Sequence, residues 1–183
     1  TKMLLWNVRD TCWDHNRYDC AWEIDEHTMV LPIKVPSMTK LHILELFAGG
    51  YAGWKHASRF LKEVFQVPMQ TVGIDASMEA CKYYSMSHDA ILVDSVSTAL
   101  PQNIDQWNSD FIVLGDIDDD AWVPAICEWG VHVMSISAPC PPWSGASKGS
   151  GLDSDQGSLL PSAILRCRHI RPLVVVLEQV NAF

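Results

Sequence analysis

Leu41-His42-Ile43-Leu44-Glu45-Leu46-Phe47-Ala48-Gly49-Gly50 (LHILELFAGG) is the stretch on which the fold turns. A short, mostly apolar run ends in two consecutive glycines. That is the pattern of a buried parallel strand that stops where the backbone must pass close to something else. Gly53 opens the next segment, where Trp54, Ala57, Leu61 and Val64 recur at helical spacing until Pro68 closes it. The spacing therefore predicts a strand, a glycine turn and a helix.

Working outward, the same alternation repeats. Thr71 to Asp75 reads as a second strand, followed by a helix through Met78, Cys81 and Tyr84. Phe111 to Gly115 reads as a third strand and Val131 to Ser137 as a fourth. A helix around Leu159 to His169 then precedes Leu173 to Glu178, a fifth strand of nearly pure branched residues. Strands alternating with helices imply an α/β fold whose parallel sheet is covered on both faces. The stretch from Asp89 to Asp110 fits the rhythm less well: Ala90 to Val93 suits an extra strand and the rest reads as loop.

Toward the N-terminus, residues 1–38 mix Trp6, Trp13 and Trp22 with scattered charges and end in the Pro32–Pro36 stretch. They read as an irregular extension and linker, leaving residues 39–183 as the one domain. Cys12, His15, Cys20 and His27 lack the paired short spacing of a zinc site, so no metal is expected.

Composition sets outer bounds. The chain has 183 residues, 48% hydrophobic and 19% charged, the balance of a globular domain. No apolar run approaches the roughly 18 residues needed to span a bilayer, so no membrane association is expected. Its 13 basic and 22 acidic residues give a formal net charge of -9. Phosphate neutralisation supplies most nucleic-acid affinity, so this charge argues against a strong grip on DNA or RNA by the chain itself. It leaves room for a catalytic domain whose basic recognition part lies elsewhere. The six cysteines have no CxxC spacing, which reads as reduced thiols in an intracellular compartment. The chain opens on Thr1 rather than Met, as a piece of a longer protein would.

In parallel sheets of this kind, ligands sit at the carboxyl ends of the strands, and the residues there carry chemistry. Asp75 ends the second strand, a natural acceptor for two ribose hydroxyls. Gly115-Asp116-Ile117 ends the third, where a carboxylate suits an adenine amino group. Neither a Gly-Lys-Ser/Thr phosphate loop nor GxGxxG is present. The fourth strand runs into Ser137-Ala138-Pro139-Cys140-Pro141-Pro142-Trp143-Ser144, which puts a cysteine on a proline-stiffened loop where a nucleophile belongs. Residues 145–157 are rich in Gly, Ser and Asp, the composition of a mobile loop. Glu178 closes the fifth strand. Beside so many apolar neighbours it is expected to be partly desolvated, with its pKa raised toward general-acid use.

These motifs resemble those of the C5-cytosine DNA methyltransferase family, over residues 41–183. LELFAGG resembles the family's first motif, GIDAS the second and GDI the third. APCPPWS resembles the proline-cysteine nucleophile loop, GLDSDQGSLL the loop-to-helix segment after it, and VVLEQVNAF the glutamate motif. The resemblance implies a Rossmann-like class I methyltransferase fold, truncated after the fifth strand, with S-adenosyl-L-methionine as cofactor. It implies that Phe47, Ala48, Gly49, Gly50, Asp75, Asp116, Ile117, Pro139 and Leu159 line the cofactor site. Cys140 would attack C6 of the target cytosine, Glu178 would hold or protonate N3, and Ser144 with the loop after it would close over a flipped base.

The sequence departs from the family pattern in places. Tyr51 and Ala52 shift the glycine spacing, Pro141 and Trp143 replace a glutamine and a phenylalanine, and Gln179 replaces an asparagine. Gln156 stands where an arginine is common, and Asp94 is the alternative to Asp116. The family's later arginine motif, target-recognition region and last motifs would lie beyond Phe183, so DNA is the expected partner through a region absent from this chain. The chain alone is expected to be inactive. The compartment would be the nucleus in a eukaryote and the cytoplasm otherwise. A catalytically dead, cofactor-binding regulator and a tRNA cytosine methyltransferase stay open as alternatives, as does the oligomeric state.

Overall fold

A computed structural model describes residues 2–7, 21–24, 40–49, 68–93, 104, 107–139 and 154–179. Within them lie strands β1 (Lys2–Asn7), β2 (Ala21–Ile24), β3 (Leu41–Leu46), β4 (Met69–Asp75), β5 (Ile91–Val93), β6 (Phe111–Leu114), β7 (Val133–Ile136) and β8 (Val174–Gln179). The helices are α1 (Met78–His88), α2 (Val123–Trp129) and α3 (Asp155–Ile170). The strands form one sheet in the order β2-β1-β8-β7-β3-β4-β6-β5. Strands β3 to β8 run parallel, as expected of a Rossmann-like methyltransferase fold. Chain order reverses at β3: the chain first builds β4, β6 and β5 on one side, then returns to add β7 and β8 on the other.

Burial explains the composition of the strands. Five consecutive residues of β3, His42 to Leu46, are buried, because both faces of a central parallel strand are covered. The main core joins Leu44, Leu46, Val72, Ile74, Phe111, Val113, Met134, Ile136, Val175 and Leu177 to Leu160, Ala163 and Ile170 of α3. A smaller cluster of Cys81, Tyr84, Ala90 and Ile112 packs α1 on the opposite face. Each long helix begins on a serine: Ser77 accepts from the Ala80 N–H at 3.2 Å, and Ser154 from the Gly157 N–H at 3.0 Å. No described helix is long and apolar enough to cross a membrane.

At the end of the sheet opposite the strands' C-termini, the starts of β3 and β7 are tied by aromatic residues. The His42 ring stacks on Trp129 with centroids 4.5 Å apart. Its Nδ1–H faces the carbonyls of Trp129 and Gly130 at 3.0 and 2.9 Å. The His42 backbone N–H donates to Nδ1 of His132 at 2.9 Å, so that nitrogen must be unprotonated. Burial, and then the neighbouring His42, hold the His132 pKa below its ordinary value.

One expectation needs correction and another is met. The segment expected to be irregular supplies two strands, with β1 antiparallel to β8 in the register Met3↔Glu178 to Asn7↔Val174. Backbone pairing to β8 satisfies peptide groups that would otherwise lack partners, and this is a long-range effect that local composition does not reveal. The Asp89–Asp110 insertion does contain the extra strand, β5. Its far end is held by Gln70, whose Nε2 lies 2.9, 3.0 and 2.9 Å from the carbonyls of Ile104, Trp107 and Ser109. Trp129 Nε1 donates to the Gln70 Oε1 at 3.1 Å. The helix expected from Trp54 to Val64, and Cys12, His15, Cys20, His27 and Asp94, lie outside the described residues.

Candidate active site

At the C-terminal rim the sheet delivers five strand ends side by side. The register runs Leu114–Asp75 from β6 to β4, Ile74–Leu46 from β4 to β3, Leu46–Ile136 from β3 to β7 and Ile136–Leu177 from β7 to β8. Asp116, Asp75, the turn at 47–49, the segment 137–139 and Glu178 therefore lie in that order along one edge. The rim spans the reversal of chain order, where such sheets leave a crevice.

The glycine turn is built from its backbone outward. Phe47 takes a left-handed conformation with φ +59°, as does Gly49 with φ +59°. For a residue bearing a Cβ this costs about 1–2 kcal/mol. Two hydrogen bonds hold it: Ala48 N–H to the Ile74 carbonyl at 3.1 Å, and Gly49 N–H to Asp75 Oδ2 at 2.8 Å. The other oxygen of Asp75 accepts from the Ser77 N–H at 2.8 Å. Each carboxylate oxygen keeps a lone pair for a further donor, so this residue both ties the turn to β4 and can receive a diol. A Cβ on Gly49 would meet nothing within 4 Å, so a ligand can approach that backbone.

Gly73 was not singled out by the sequence reading. A Cβ there would sit 2.7 Å from Ile112 Cδ1 and 3.0 Å from Ala48 Cβ. Its missing side chain is what lets the turn lie against β4. The glycine of GIDAS was visible in sequence, but which neighbour it admits was not.

Asp116 is exposed, and its Oδ1 accepts from the Asp118 N–H at 3.0 Å. Ile117 is 5% exposed with its side chain in the core. Pro139 and Leu159 are half-buried, and Leu159 packs against the core from the second turn of α3. Glu178 is exposed, so the burial expected of it is not observed; the acid stands where β8 reaches the rim. Gly50, Cys140 and Ser144 lie outside the described residues.

Of the three described cysteines, Cys81 and Cys167 are buried. Burial, then the charge of Asp75, pushes the Cys81 thiol up to about 11, and burial pushes Cys167 up to about 12. Cys127 is exposed and also raised by partial burial. None has the lowered pKa of a nucleophile. Among the described residues, no group of three or more His, Cys, Asp or Glu is arranged to hold a metal ion. A buried acid away from the rim, Glu45, accepts from the Tyr84 hydroxyl at 2.9 Å. Burial, then the Glu45 charge, raises the Tyr84 pKa, so it stays a protonated donor.

The family model for C-5 cytosine-specific DNA methylase matches residues 41–183. The type II methyltransferase M.NaeI of Lentzea aerocolonigenes is 33% identical over 73 residues, 40% of this chain and 17% of that protein. The match thus spans under one fifth of that relative's length. A parallel sheet reversing at its glycine turn, acids at successive strand ends, and a family match over most of the sequence agree, and the chain belongs to the C-5 cytosine-specific DNA methylase family.

Proposed function

We propose that this chain carries the cofactor site and the catalytic pair of an enzyme that methylates C5 of cytosine in DNA from S-adenosyl-L-methionine. The observation that carries the reading is the rim itself. The strand leading to Cys140 and the strand that carries Glu178 are direct neighbours, in register at Ile136 and Leu177, beside the turn at Phe47 to Gly49.

The residues fit the cofactor. Gly49 leaves its backbone open, Asp75 keeps acceptor capacity for two ribose hydroxyls, and exposed Asp116 can accept from the adenine amino group. Phe47, Ala48, Gly50, Ile117, Pro139 and Leu159 complete the proposed lining. Bound there, S-adenosyl-L-methionine supplies a methyl group on a sulfonium. The chain's own residues do the rest. The Cys140 thiolate adds to C6 of the cytosine, while Glu178, as the carboxylic acid, donates its O–H to N3 and stabilises charge developing on the ring. C5, made electron-rich, would take the methyl group as its bond to the sulfonium breaks and leaves a neutral thioether. Loss of the C5 proton to a base then breaks the Cys140–C6 bond and restores the ring. A duplex substrate requires the base to leave the stack, at a cost of about a few kcal/mol, and Ser144 lies on the loop proposed to close over it.

The test is covalent trapping. Duplex DNA with 5-fluorocytosine cannot lose a proton from C5, so the whole enzyme that carries this chain, supplied with cofactor, should form a denaturation-resistant adduct that disappears in Cys140→Ala. No adduct, or one that survives Cys140→Ala, would overturn the mechanism, and trapping on RNA alone would move the substrate from DNA to RNA.

A further inference from the structure

Arg166 is a cation that the fold buries, 7% exposed, on a helix whose neighbouring inward residues Leu160, Ala163, Cys167 and Ile170 are core. Removing a guanidinium from water is unfavourable unless its hydrogen bonds and charge are matched. Here they are, by one short loop. Nε donates to the Ile117 carbonyl at 2.7 Å, Nη1 pairs with the Asp120 carboxylate, and the guanidinium lies 5.6 Å from the centroid of the Trp122 ring. Trp122 in turn donates from Nε1 to the Asp116 carbonyl at 3.0 Å, while Asp118 N–H closes on the Asp116 carboxylate.

An apolar side chain would fill this space without the desolvation penalty, and replacing buried ion pairs that way is often neutral or better for stability. What only a guanidinium supplies is direction, because its donors are fixed in a plane. The loop it holds carries Asp116 and Ile117, and the helix it belongs to carries Leu159. We infer that Arg166 is a positioning residue for the nucleoside end of the cofactor pocket, fixing the Asp116 carboxylate so that the site selects a 6-aminopurine. This rests on the cofactor reading proposed above.

The experiment compares binding of S-adenosylhomocysteine with that of S-inosylhomocysteine, in which a carbonyl oxygen replaces the 6-amino group and faces the carboxylate. The wild-type protein should prefer the amino compound strongly, since sites built around a hydrogen bond reject analogues lacking it. Arg166→Met should weaken S-adenosylhomocysteine binding about tenfold, or ~1.4 kcal/mol, and leave the inosyl analogue nearly unchanged, so the preference collapses. Arg166→Lys, which keeps the charge without the planar fork, should restore only part of it. Amide hydrogen exchange should quicken at Ile117 to Trp122 and not in β3, β4 or β7. Asp120→Asn, altering a side chain that is 87% exposed, avoids a core substitution and should reduce the preference about threefold. An unchanged preference in Asp120→Asn and Arg166→Met overturns the inference. So does an equal loss for both ligands, which a general loosening would give. A wild-type protein that binds neither ligand sinks the cofactor reading itself, and the inference with it.

Discussion

Gly73→Ala probes the contact on which the cofactor turn depends. The new methyl would lie 2.7 Å from Ile112 Cδ1 and 3.0 Å from Ala48 Cβ, where ordinary carbon contacts are about 3.5–4 Å. The isoleucine atom is the free end of a flexible side chain and can rotate away. Ala48 cannot yield as cheaply, because its N–H is bonded to Ile74 and the next N–H to Asp75. Overpacking of this kind costs about 1–3 kcal/mol, offset by about 0.5–1 kcal/mol from the lower chain entropy of alanine. A net loss of about 1–2 kcal/mol lowers Tm by roughly 2–4 °C per kcal/mol in a chain of this size. Thermal denaturation followed by circular dichroism measures it. The double variant Gly73→Ala/Ala48→Gly supplies the control: removing the opposing methyl should recover most of the loss, a coupling that independent sites do not show. A single variant as stable as wild type, or a double variant no better than the sum of its parts, would refute the close approach of turn and strand.

Three further outcomes are expected. Because the folded state holds the His132 pKa below its ordinary value, the unfolded chain binds more protons in the weakly acidic range. Stability should therefore fall as pH drops below about 6.5 and continue falling until the folded-state pKa is passed; urea titrations of wild type and His132→Gln should differ in slope there and run parallel above about pH 7.5, and identical profiles would dismiss the His42–His132 bond. Gln70→Leu strips a donor from the carbonyls of Ile104, Trp107 and Ser109 and an acceptor from Trp129, so it should cost about 2–3 kcal/mol and speed proteolysis between 104 and 110; a change under about 0.5 kcal/mol, typical of plain surface sites, would contradict that anchoring role. In native protein at mildly alkaline pH, iodoacetamide followed by peptide mapping should modify Cys127 and spare Cys81 and Cys167, whose thiols burial pushes up to about 11 and about 12; rapid modification of either would show that its packing is looser than described.

Much of this architecture was legible from sequence because it is local. Apolar runs such as Ile43 to Leu46 and Val174 to Leu177 mark strands buried on both faces. Strand ends are also where a glycine turn or an isolated acid stands out. Asp75 and Asp116 stood out at strand ends for that reason, whereas the order of the strands along the rim, which reverses at β3, is not contained in the alternation of elements. What escaped notice depends on partners distant in the chain. Arg166 meets Ile117 and Asp120 across nearly fifty positions, and Gln70 reaches Ile104 and Ser109. Neither has a pattern around it that differs from an ordinary polar residue. The helix Val123–Trp129 was missed because it is seven residues long and shows too few turns for periodicity. Lys2–Asn7 was missed because Met3 to Trp6 do not alternate, and only the presence of β8 gives them a reason to extend. Glu178 was placed correctly at a strand end, but its exposure depends on how far the neighbouring cover reaches, which composition does not encode.

The lengths of the outermost strands have a consequence for solubility. The described sheet ends in β2 on one side and β5 on the other, with only four and three residues respectively. The long hydrophobic strands, which would be dangerous templates for other chains, all lie inboard of these short margins. Among the described residues, a foreign strand adding to either margin would gain few ladder bonds, and the apolar run from Leu173 to Leu177 lies inboard of both.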